Sequence, residues 1–429
     1  MTQAPMPHRR TGPQRRHDLD AIRVGAFGLL ILYHLGMVYV PWGFHVNSQS
    51  PQVWLEPVMR LTNPWRMTLL FLISGAATRL LYDRYRAEGP GAGERLAGSR
   101  LLRLGLPMLF GMLVIVPPQT YFEVVELVRT KGLTTDISQA QATADFWLRY
   151  IRSDGDWCRP SGCIVTPTWN HLWFVAYILV YGLITAMVMG LAHRRLSAWA
   201  GAMDRALTGL GLFLWPILFL ALIRIALFPR FPVTHDLVQD LYTHALSLAG
   251  FAFGFLMVDA AQLTERLKRH RHVFLVLALT SYAAFALYME LGRNGFYPGV
   301  WLRNVMRVVY AIDQWAFIAA ILGYSAHHIT APNRLVTYLG GGIFTFYILH
   351  QTLIVSGFAL LEPLQMPLII EALAILLITL VGSFLGYEAA RRVGPMGLLL
   401  GVSPPKIPLS YPRQSDVTVT LPNHDRPPA

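Results

Sequence analysis

The amino-acid sequence predicts an all-α, polytopic integral membrane protein with about ten transmembrane helices. Composition is the first observation behind this prediction. Of the 429 residues, 54% are hydrophobic and only 14% are charged, whereas a typical soluble domain has about 25% charged residues. The second observation is that apolar windows of about 20 residues, the length that crosses a hydrocarbon core as a helix, recur along almost the whole chain.

Ten such windows are predicted to be membrane spans. Pro64 interrupts the second window, and Pro107 and the Pro117-Pro118 pair interrupt the third, which membrane helices tolerate when neighbouring groups satisfy the freed backbone. The first window is long and lacks a small-residue cleavage site, so we expect an uncleaved first helix. The predicted spans are residues 22–41, 64–82, 104–122, 171–191, 207–228, 239–258, 273–291, 306–326, 338–360 and 367–389.

The windows define one domain with two tails. Residues 18–395 form the predicted transmembrane domain, whereas the tails at 1–17 and 396–429 are rich in proline and polar residues and are expected to be disordered. Residues 123–170 form one long predicted outer loop that contains Trp147, Trp157 and Trp169. These rings suit either an aromatic belt at headgroup depth or a platform for sugar rings, and the sequence does not choose between them.

The net charge of +12 is better explained by its placement than by a nucleic-acid partner. If the N-terminus is cytoplasmic, most Lys and Arg residues lie in inner segments, so the positive-inside rule predicts that both termini are cytoplasmic. The basic loops would then lie near anionic lipid, which predicts contact with the bilayer and none with nucleic acid. Four other arginines lie inside or at the edge of predicted spans: Arg23, Arg66, Arg224 and Arg307.

Several motifs typical of other classes of enzyme are absent from the sequence. The chain lacks P-loop, HExxH, GxSxG and paired CxxC patterns, which argues against an ATPase, a zinc hydrolase or a serine hydrolase, and no metal site is predicted. The two cysteines, in CRPSGC on the predicted outer side, are equally compatible with one disulfide and with two free thiols.

The first span, AIRVGAFGLLILYHLGMVYV, contains two ionisable residues, Arg23 and His34. Eleven helical steps return almost to the same face, so the cation and the imidazole share one side of the helix at a separation of roughly 16 Å. Asp20 is close enough in sequence to pair with Arg23. A buried histidine is either a packing residue or part of a functional site, and a neutral imidazole that exchanges a proton suits acyl transfer to an alcohol.

Two further segments are candidates for binding an acyl donor. Arg100 and Arg103 in SRLLRLGLPM lie three residues apart, where their planar forks could hold the phosphates of a nucleotide-bearing donor such as coenzyme A. The alternative is that they only mark the cytoplasmic side. In FLISGAATR, Ser74 and Gly75 belong to a small-residue patch that lets a ligand or another helix approach the backbone.

Polar residues in two later spans are candidates for acceptor binding or for a chamber among the helices. WNHLWFVAYIL places His171 and Trp173 at the predicted boundary, and GGGIFTFYILHQ places Tyr347 and His350 on one helix face. These histidines predict a polar chamber among the helices, although the aromatic residues are equally explained as interfacial anchors. Further candidates, each equally explained as a structural hydrogen-bonding partner, are Asp240, His244, Asp313 and Glu371.

Taken together, these motifs resemble membrane acyltransferase family 3. RRHDLDAIRVGAFGLLILYH, FLISGA, SRLLRLGLP, HLWFVAYIL and FYILHQ occur in the family's order and cover residues 17 to about 390. The resemblance implies a multi-pass enzyme of the bacterial inner membrane, with His34 as catalytic histidine, Arg23 as its signature partner, and Arg100 and Arg103 as donor-side arginines. Ala76 replaces the bulky residue that usually follows Ser-Gly, which leaves that helix contact open.

Within the family, the chain is similar to the group that succinylates periplasmic glucans. That resemblance implies transfer of a succinyl group from a cytoplasmic acyl-CoA to hydroxyls of a periplasmic glucan, with succinyl-CoA or acetyl-CoA as substrate and no bound cofactor. The transfer is either direct or through an acyl-enzyme. The alternative within this chemistry is O-acetylation of a surface polysaccharide, a lipid-linked sugar or an antibiotic.

Two functions without acyl transfer are also compatible with a polytopic membrane protein. A proton-coupled secondary transporter would place ionisable residues at mid-depth, but its halves are expected to show a weak repeat, and the sequence shows none. A catalytically idle membrane subunit does not account for the combination of His34 with the arginine pair.

Overall fold

The computed structural model describes residues 16–131, 143–155, 157–159 and 162–402. This part of the chain is helical apart from its connections and one pair of two-residue strands, as the all-α prediction requires. Within it, seven helices are long and apolar enough to cross a membrane. The predicted tails fall largely outside the described residues.

The helices follow the predicted windows closely, although their bounds differ. In chain order they are α1 (His17–Tyr39), α2 (Glu56–Thr62), α3 (Arg66–Ala87), α4 (Ala92–Arg100), α5 (Leu106–Phe110), α6 (Pro117–Lys131), α7 (Thr143–Arg152), α8 (Trp173–Ala192), α9 (Leu196–Ala206), α10 (Gly211–Ala226), α11 (Leu241–Met257), α12 (Ala261–Arg293), α13 (Val300–His328), α14 (Arg334–Leu361), α15 (Leu368–Arg392) and α16 (Gly394–Leu399). The strands are β1 (Cys158–Arg159) and β2 (Gly162–Cys163). Short 3₁₀ turns cover Val53–Leu55, Asn170–Leu172, His193–Arg195 and Glu362–Leu364.

All ten predicted windows contain helix, but three of them do not meet the length and hydropathy expected of a span. Helices α10 and α11 are apolar but have only 16 and 17 residues. Helix α3 has 22 residues but carries arginines at both ends. The count of about ten spans and the cytoplasmic position of the termini therefore remain predictions.

The third window differs most from its prediction. Helices α4 to α6 join through two π-helical segments, Leu101–Gly105 and Gly111–Ile115, into one helical stretch from Ala92 to Thr130. Each π segment lies just before a proline, Pro107 or Pro117, whose ring and missing N–H interrupt the regular α-helical hydrogen bonds. Because α6 continues to Lys131, helix also covers the beginning of the predicted 123–170 loop.

The described part of the 123–170 segment packs onto the hydrophobic core of the helical bundle. Trp157 is 1% exposed and stacks on Phe146 with ring centroids 4.7 Å apart. Cys158 and Cys163 face each other across the two strands and form a disulfide. Trp157 therefore stabilises this segment and has no free face for a sugar ring, which removes it from the residues expected to touch an acceptor.

Helix α1 lies at the centre of the bundle and positions the site. It contacts α3, α13, α14 and α15, and its buried residues include Ala26, Leu30 and Leu35. Arg23 and His34, near opposite ends of α1, line different cavities.

Helices α3 and α11 approach each other more closely than helices with larger side chains allow. A methyl group placed on Gly75 would meet the Phe251 carbonyl, and one placed on Gly254 would lie 2.6 Å from the Leu72 carbonyl carbon. Small residues at such positions let helix backbones come into direct contact, which favours association in lipid. This close contact fixes α3, and with it the side chains that α3 contributes to the cavities described below.

We predict that Gly254→Ala destabilises the protein by about 1–3 kcal/mol, because the added methyl group overpacks a backbone contact. The measurement is the melting temperature of the purified protein in detergent. Gly28→Ala is the matched control, since nothing lies within 4 Å of a methyl group at that position. Equal melting temperatures for the two variants would contradict the proposed role of the close helix contact.

Candidate active site

Two histidines from distant parts of the chain form a hydrogen bond in the middle of the bundle. His34 of α1 and His350 of α14 join through Nδ1 and Nε2 at 2.9 Å. His350 Nδ1 lies 2.7 Å from the Tyr347 carbonyl oxygen, and carbonyl oxygens only accept. In the neutral ring Nδ1 therefore carries the hydrogen and Nε2 accepts one from His34 Nδ1. This arrangement leaves His34 Nε2 unprotonated.

A third histidine, His171, lies beside this pair but is fully engaged. Its Nε2 lies 3.1 Å from the Ile348 carbonyl oxygen, so it donates there, and its Nδ1 accepts from the Gln119 amide at 3.3 Å. Neither ring nitrogen is available for a proton from a substrate. Among the three histidines of this cluster, His34 alone has a ring nitrogen without a protein partner in the described part of the chain.

His34 lies where two cavities meet. The first, here called the acidic cavity, has a volume of about 800 Å³, and the second, the tyrosine–arginine cavity, about 580 Å³. Both are lined by the same five aromatic or imidazole residues, and no other lining residue is common to both: His34, Phe44, His171, Trp173 and His235. A group bound in either cavity can therefore lie against the His34 side chain.

The acidic cavity contains two carboxylates, Glu123 and Glu126 of α6, and no Lys or Arg among the described residues that line it. Its wall also carries the indole of Trp169 and the Asn170 amide. Aromatic faces and amide and carboxylate groups together suit a neutral polyhydroxylated molecule, because rings cover the apolar sugar faces while acceptors bind hydroxyls.

A chain of hydrogen bonds holds this wall in place. His45 Nδ1 contacts the Glu123 carboxylate at 2.6 Å, and the Gln351 amide nitrogen lies 2.8 Å from His45 Nε2. The Gln351 amide also donates to Gln119 Oε1 at 3.1 Å, and Gln119 contacts His171. The network joins the carboxylate to the histidine cluster through satisfied partners, which orders the side chains around His34.

The tyrosine–arginine cavity has the opposite charge. Arg60, Arg66 and Arg224 line it, and no carboxylate does within the described ranges. His235, at its border with the acidic cavity, stacks on the Trp173 indole with ring centroids 4.1 Å apart. Burial lowers the pKa of His235, which lies in the connection before α11, below its ordinary value. The ring is therefore neutral near pH 7, and the cavity's positive charge comes from the arginines.

A third cavity, here called the proximal cavity, lies at the other end of α1. It has a volume of about 460 Å³ and no carboxylate among its described lining residues. Its polar lining consists mainly of arginines together with hydroxyl groups: Arg23, Ser74, Thr78, Arg100, Arg103, Tyr387 and Arg391. Four guanidinium groups around one space form a site for an anion with several charged oxygens.

The structure shows how the predicted arginines reach this cavity. Arg23 donates to the Gly340 carbonyl at 2.9 Å, and Arg100 donates to the Thr78 hydroxyl at 2.7 Å. Arg103 lies on the first π-helical segment and is exposed to the cavity. Arg23 therefore lies with the predicted donor-side arginines, at a distance from His34, and Asp20 precedes it on the same end of α1.

The other predicted residues separate into cavity and packing positions. Ser74 lines the proximal cavity, whereas Gly75 lies at the backbone contact with α11 and lines none of the three cavities. Trp173 borders both cavities at His34. Tyr347 lines the tyrosine–arginine cavity, and its hydroxyl donates to the His171 carbonyl. His350 is fully buried behind His34 and contacts no cavity directly.

Three of the further ionisable candidates have structural partners. Asp240 caps α11 through the Thr243 amide, His244 binds the Tyr181 hydroxyl at 2.8 Å, and Glu371 accepts from the Tyr39 hydroxyl at 2.8 Å. Asp313 differs, because both of its carboxylate oxygens are buried without a hydrogen-bond partner.

Sequence reasoning missed His45, Glu123 and Gln351 of the acidic cavity. Gln351 follows His350 directly in the motif GGGIFTFYILHQ, and Glu123 lies one helical turn after Gln119. Both were therefore visible in principle. His45 lies in the connection after α1, where no periodicity marks a residue as facing a site.

A basic cavity, a histidine with a free nitrogen and a polar cavity within a bundle of apolar helices are compatible with acyl transfer in a membrane. The model of acyltransferase family 3, described as an acyltransferase domain, matches residues 16–388. This match covers most of the chain, so the protein belongs to acyltransferase family 3 and is an acyltransferase.

Curated relatives narrow the comparison further. Glucans biosynthesis protein C of Salmonella schwarzengrund (strain CVM19633) is 22% identical over 398 residues, which is 91% of this chain and 96% of the relative. Glucans biosynthesis protein C of Escherichia coli O139:H28 (strain E24377A) is 21% identical over 360 residues, covering 82% of this chain and 85% of the relative. No solved structure matches the chain.

We predict that His350→Leu lowers kcat for acyl transfer by about 10- to 1,000-fold while KM changes little, because His34 loses the acceptor that fixes its tautomer. His350→Gln retains a hydrogen-bond acceptor on the side chain and should recover part of the rate. Steady-state kinetics of the purified variants, with melting temperatures to check folding, give the measurement. A well-folded His350→Leu variant with the wild-type kcat would contradict the role assigned to the histidine pair.

Proposed function

We propose that the protein transfers a succinyl group from a cytoplasmic acyl-CoA to hydroxyls of a periplasmic glucan, with His34 as general base. The observation that carries the proposal is the free Nε2 of His34 at the junction of two cavities. The names of the relatives support the glucan, and the similarity to the glucan-succinylating group supports the succinyl group.

The proximal cavity is the proposed donor site. The phosphates of coenzyme A need several positive groups, and Arg23, Arg100 and Arg103 offer guanidinium groups around one space. Ser74 and Thr78 add hydroxyls on the same wall. The Arg100 side chain is already ordered by its hydrogen bond to Thr78, so less conformational entropy is lost when a donor binds.

The proposed reaction uses the tautomer that the histidine pair fixes. His34 Nε2 accepts the proton of a glucan hydroxyl while the oxygen attacks the thioester carbonyl carbon. When the tetrahedral intermediate collapses, the carbon–sulfur bond breaks and the departing thiolate receives the proton from His34. The neutral His350 accepts the Nδ1 hydrogen bond throughout and stabilises the imidazolium form of His34.

The acidic cavity is the proposed acceptor site. Trp169 and Trp173 provide flat apolar area for sugar rings, and Glu123 and the amide groups provide hydrogen-bond acceptors. A neutral glucan meets no unfavourable charge in this cavity, whereas an anionic acyl group would be repelled by Glu123. The cavity therefore favours an acceptor that approaches uncharged.

We place the protein in the bacterial inner membrane with both termini in the cytoplasm. The distribution of Lys and Arg supports this orientation through the positive-inside rule. In that orientation the proximal cavity faces the cytoplasm, where acyl-CoA is present, and the acidic cavity faces the periplasm. The disulfide between Cys158 and Cys163 then lies in the oxidising compartment, as its chemistry favours.

We predict that cells lacking this protein make periplasmic glucans with a normal backbone but less negative charge. Each succinyl ester replaces a neutral hydroxyl with a free carboxylate, which is ionised near neutral pH. Ion-exchange chromatography of extracted glucans gives the measurement. The wild-type gene should restore the charge, and His34→Gln should not, because loss of a general base typically lowers the rate by about 10²- to 10⁴-fold.

An unchanged glucan charge profile together with loss of acetyl groups from a surface polysaccharide would replace the succinyl assignment with O-acetylation. Near-normal glucan charge from a well-folded His34→Gln protein would instead exclude His34 as the general base. The two results are distinguishable because the first concerns the deletion and the second only the variant.

We predict that Arg100→Lys and Arg103→Lys each raise KM for acyl-CoA roughly tenfold, because lysine keeps the charge but loses the planar fork that binds two phosphate oxygens. Initial rates at varied acyl-CoA concentration, with glucan in excess, give the measurement. Arg84→Lys is the matched control, since Arg84 is exposed on α3 and does not line the proximal cavity. An unchanged KM for acyl-CoA in both test variants would show that Arg100 and Arg103 only set the orientation of the helix in the membrane.

A further inference from the structure

We propose that the tyrosine–arginine cavity binds the free carboxylate of a dicarboxylic acyl group, with Arg66 and Arg224 as the residues that select it. This inference rests on the proposed function and deepens it, because it explains why a succinyl group would be preferred over an uncharged acyl group. The reacting thioester carbon would lie beside His34, and the carboxylate two methylene groups further on would lie between the arginines.

Arg66 is a buried cation without a carboxylate partner in the described residues. Only 4% of its surface is exposed, and its guanidinium carbon lies 3.4 Å from the centre of the Tyr33 ring. The Nη1 of Arg66 donates to the Thr62 hydroxyl at 3.1 Å, and its Nε is buried without a hydrogen-bond partner. A guanidinium stacked by its face on a ring keeps its N–H edge available for a planar carboxylate.

Arg224 repeats this arrangement from another helix. Its guanidinium carbon lies 3.3 Å from the centre of the Tyr310 ring and 4.7 Å from that of Phe228. Nη1 donates to the Tyr242 hydroxyl at 2.6 Å, and no carboxylate pairs with Arg224 within the described ranges. Two arginines from α3 and α10 are thus oriented by rings and hydroxyls alone, and both line the same cavity.

Other arginines of this chain show the contrast. Arg60 lines the same cavity but is paired with Glu56 at 2.5 Å, and the buried Arg79 is paired with Asp83 and Asp259. Burying a cation without an anion is costly. Binding of an anionic ligand would therefore stabilise Arg66 and Arg224 more than it would stabilise an arginine that already has a carboxylate partner. Asp313 is buried nearby on the helix of Tyr310, but it does not line the cavity.

The two cavities at His34 would then orient the two substrates by charge. A carboxylate is repelled by Glu123 and attracted by Arg66 and Arg224, so the acyl group enters one cavity and the neutral sugar the other. Glu126 contributes less to this repulsion, because it is paired with Arg129 at 2.8 Å. The position is suitable for the reaction, because Arg66, Arg224 and His34 line the same cavity. Acetyl and butyryl groups lack the carboxylate and gain nothing from this cavity.

The experiment compares donors that differ only in the carboxylate. The purified protein is assayed for thiol release with succinyl-CoA, butyryl-CoA and acetyl-CoA and one glucan acceptor, as wild type and as Arg66→Gln and Arg224→Gln. We expect the wild type to prefer succinyl-CoA over butyryl-CoA. Each variant should lose about 10- to 100-fold in kcat/KM for succinyl-CoA, the size of a lost charged hydrogen bond, with little change for butyryl-CoA.

Arg303→Gln is the matched control, because Arg303 is exposed on α13 and lies outside the cavity. Melting temperatures identify a variant that fails to fold. The comparison of succinyl-CoA with butyryl-CoA on the wild type needs no variant and tests the proposal by itself.

Three results overturn the inference. Equal use of succinyl-CoA and butyryl-CoA by the wild type would show that the carboxylate is not recognised. Equal losses with all donors in both variants would show that the arginines hold the fold or bind the acceptor. An unchanged preference in both folded variants would exclude these residues. In each case the acyltransferase assignment stands, whereas thiol release from none of the donors would reject the proposed function itself.

Discussion

The hydrogen bond between His34 and His350 is the interaction on which the site depends. It joins α1 to α14, and the Tyr347 carbonyl fixes its direction by accepting from the second ring. The Tyr347 hydroxyl in turn donates to the His171 carbonyl, which ties α14 to the turn before α8. In a low-dielectric interior each of these bonds is stronger than in water, and each unpaired partner would be costly. The same bonds that stabilise the helix contacts therefore decide which ring nitrogen is free.

Different helices supply the negative and the positive charges around His34. Helix α6 supplies Glu123 and Glu126 to one side of His34, while α3 and α10 supply Arg66 and Arg224 to the other. Field lines in low-dielectric surroundings are screened little, so this separation acts over the short distance between the cavities. An uncharged hydroxyl and an anionic acyl group would be guided to opposite sides of the same imidazole. Selectivity then comes from the position of charges and does not require a tight steric fit.

Much of the helical content, and the common helix face of Arg23 and His34, can be predicted from the sequence. Hydropathy and helical periodicity are properties of one continuous segment and need no tertiary contact. The contact of His34 with His350 cannot be predicted in this way, since 316 residues separate the two partners and only tertiary packing brings them together. Arg66 and Arg224 were recognised as arginines within spans, but the rings that orient them come from other parts of the chain. The π-helical segments were also missed, although the prolines that accompany them are visible in the sequence.

A layer of aromatic rings separates the proximal cavity from the cavities at His34. Phe27 and Phe174 line the proximal cavity, Tyr347 lines the tyrosine–arginine cavity, and the ring centroids of Phe27 and Tyr347 are 5.5 Å apart in an edge-to-face contact. Phe174 completes the layer at 5.9 Å from Tyr347. An enzyme with its donor on one side of a membrane and its acceptor on the other must pass an acyl group without passing ions. Rings meet this requirement, because they exclude hydrated ions from an apolar layer and yet move aside by side-chain rotation. Under the proposed function, the thioester arm of the donor would displace Phe27 and Phe174 as it reaches His34, whereas Tyr347 would stay in place through its hydrogen bond to the His171 carbonyl. The layer would close again when the free thiol withdraws.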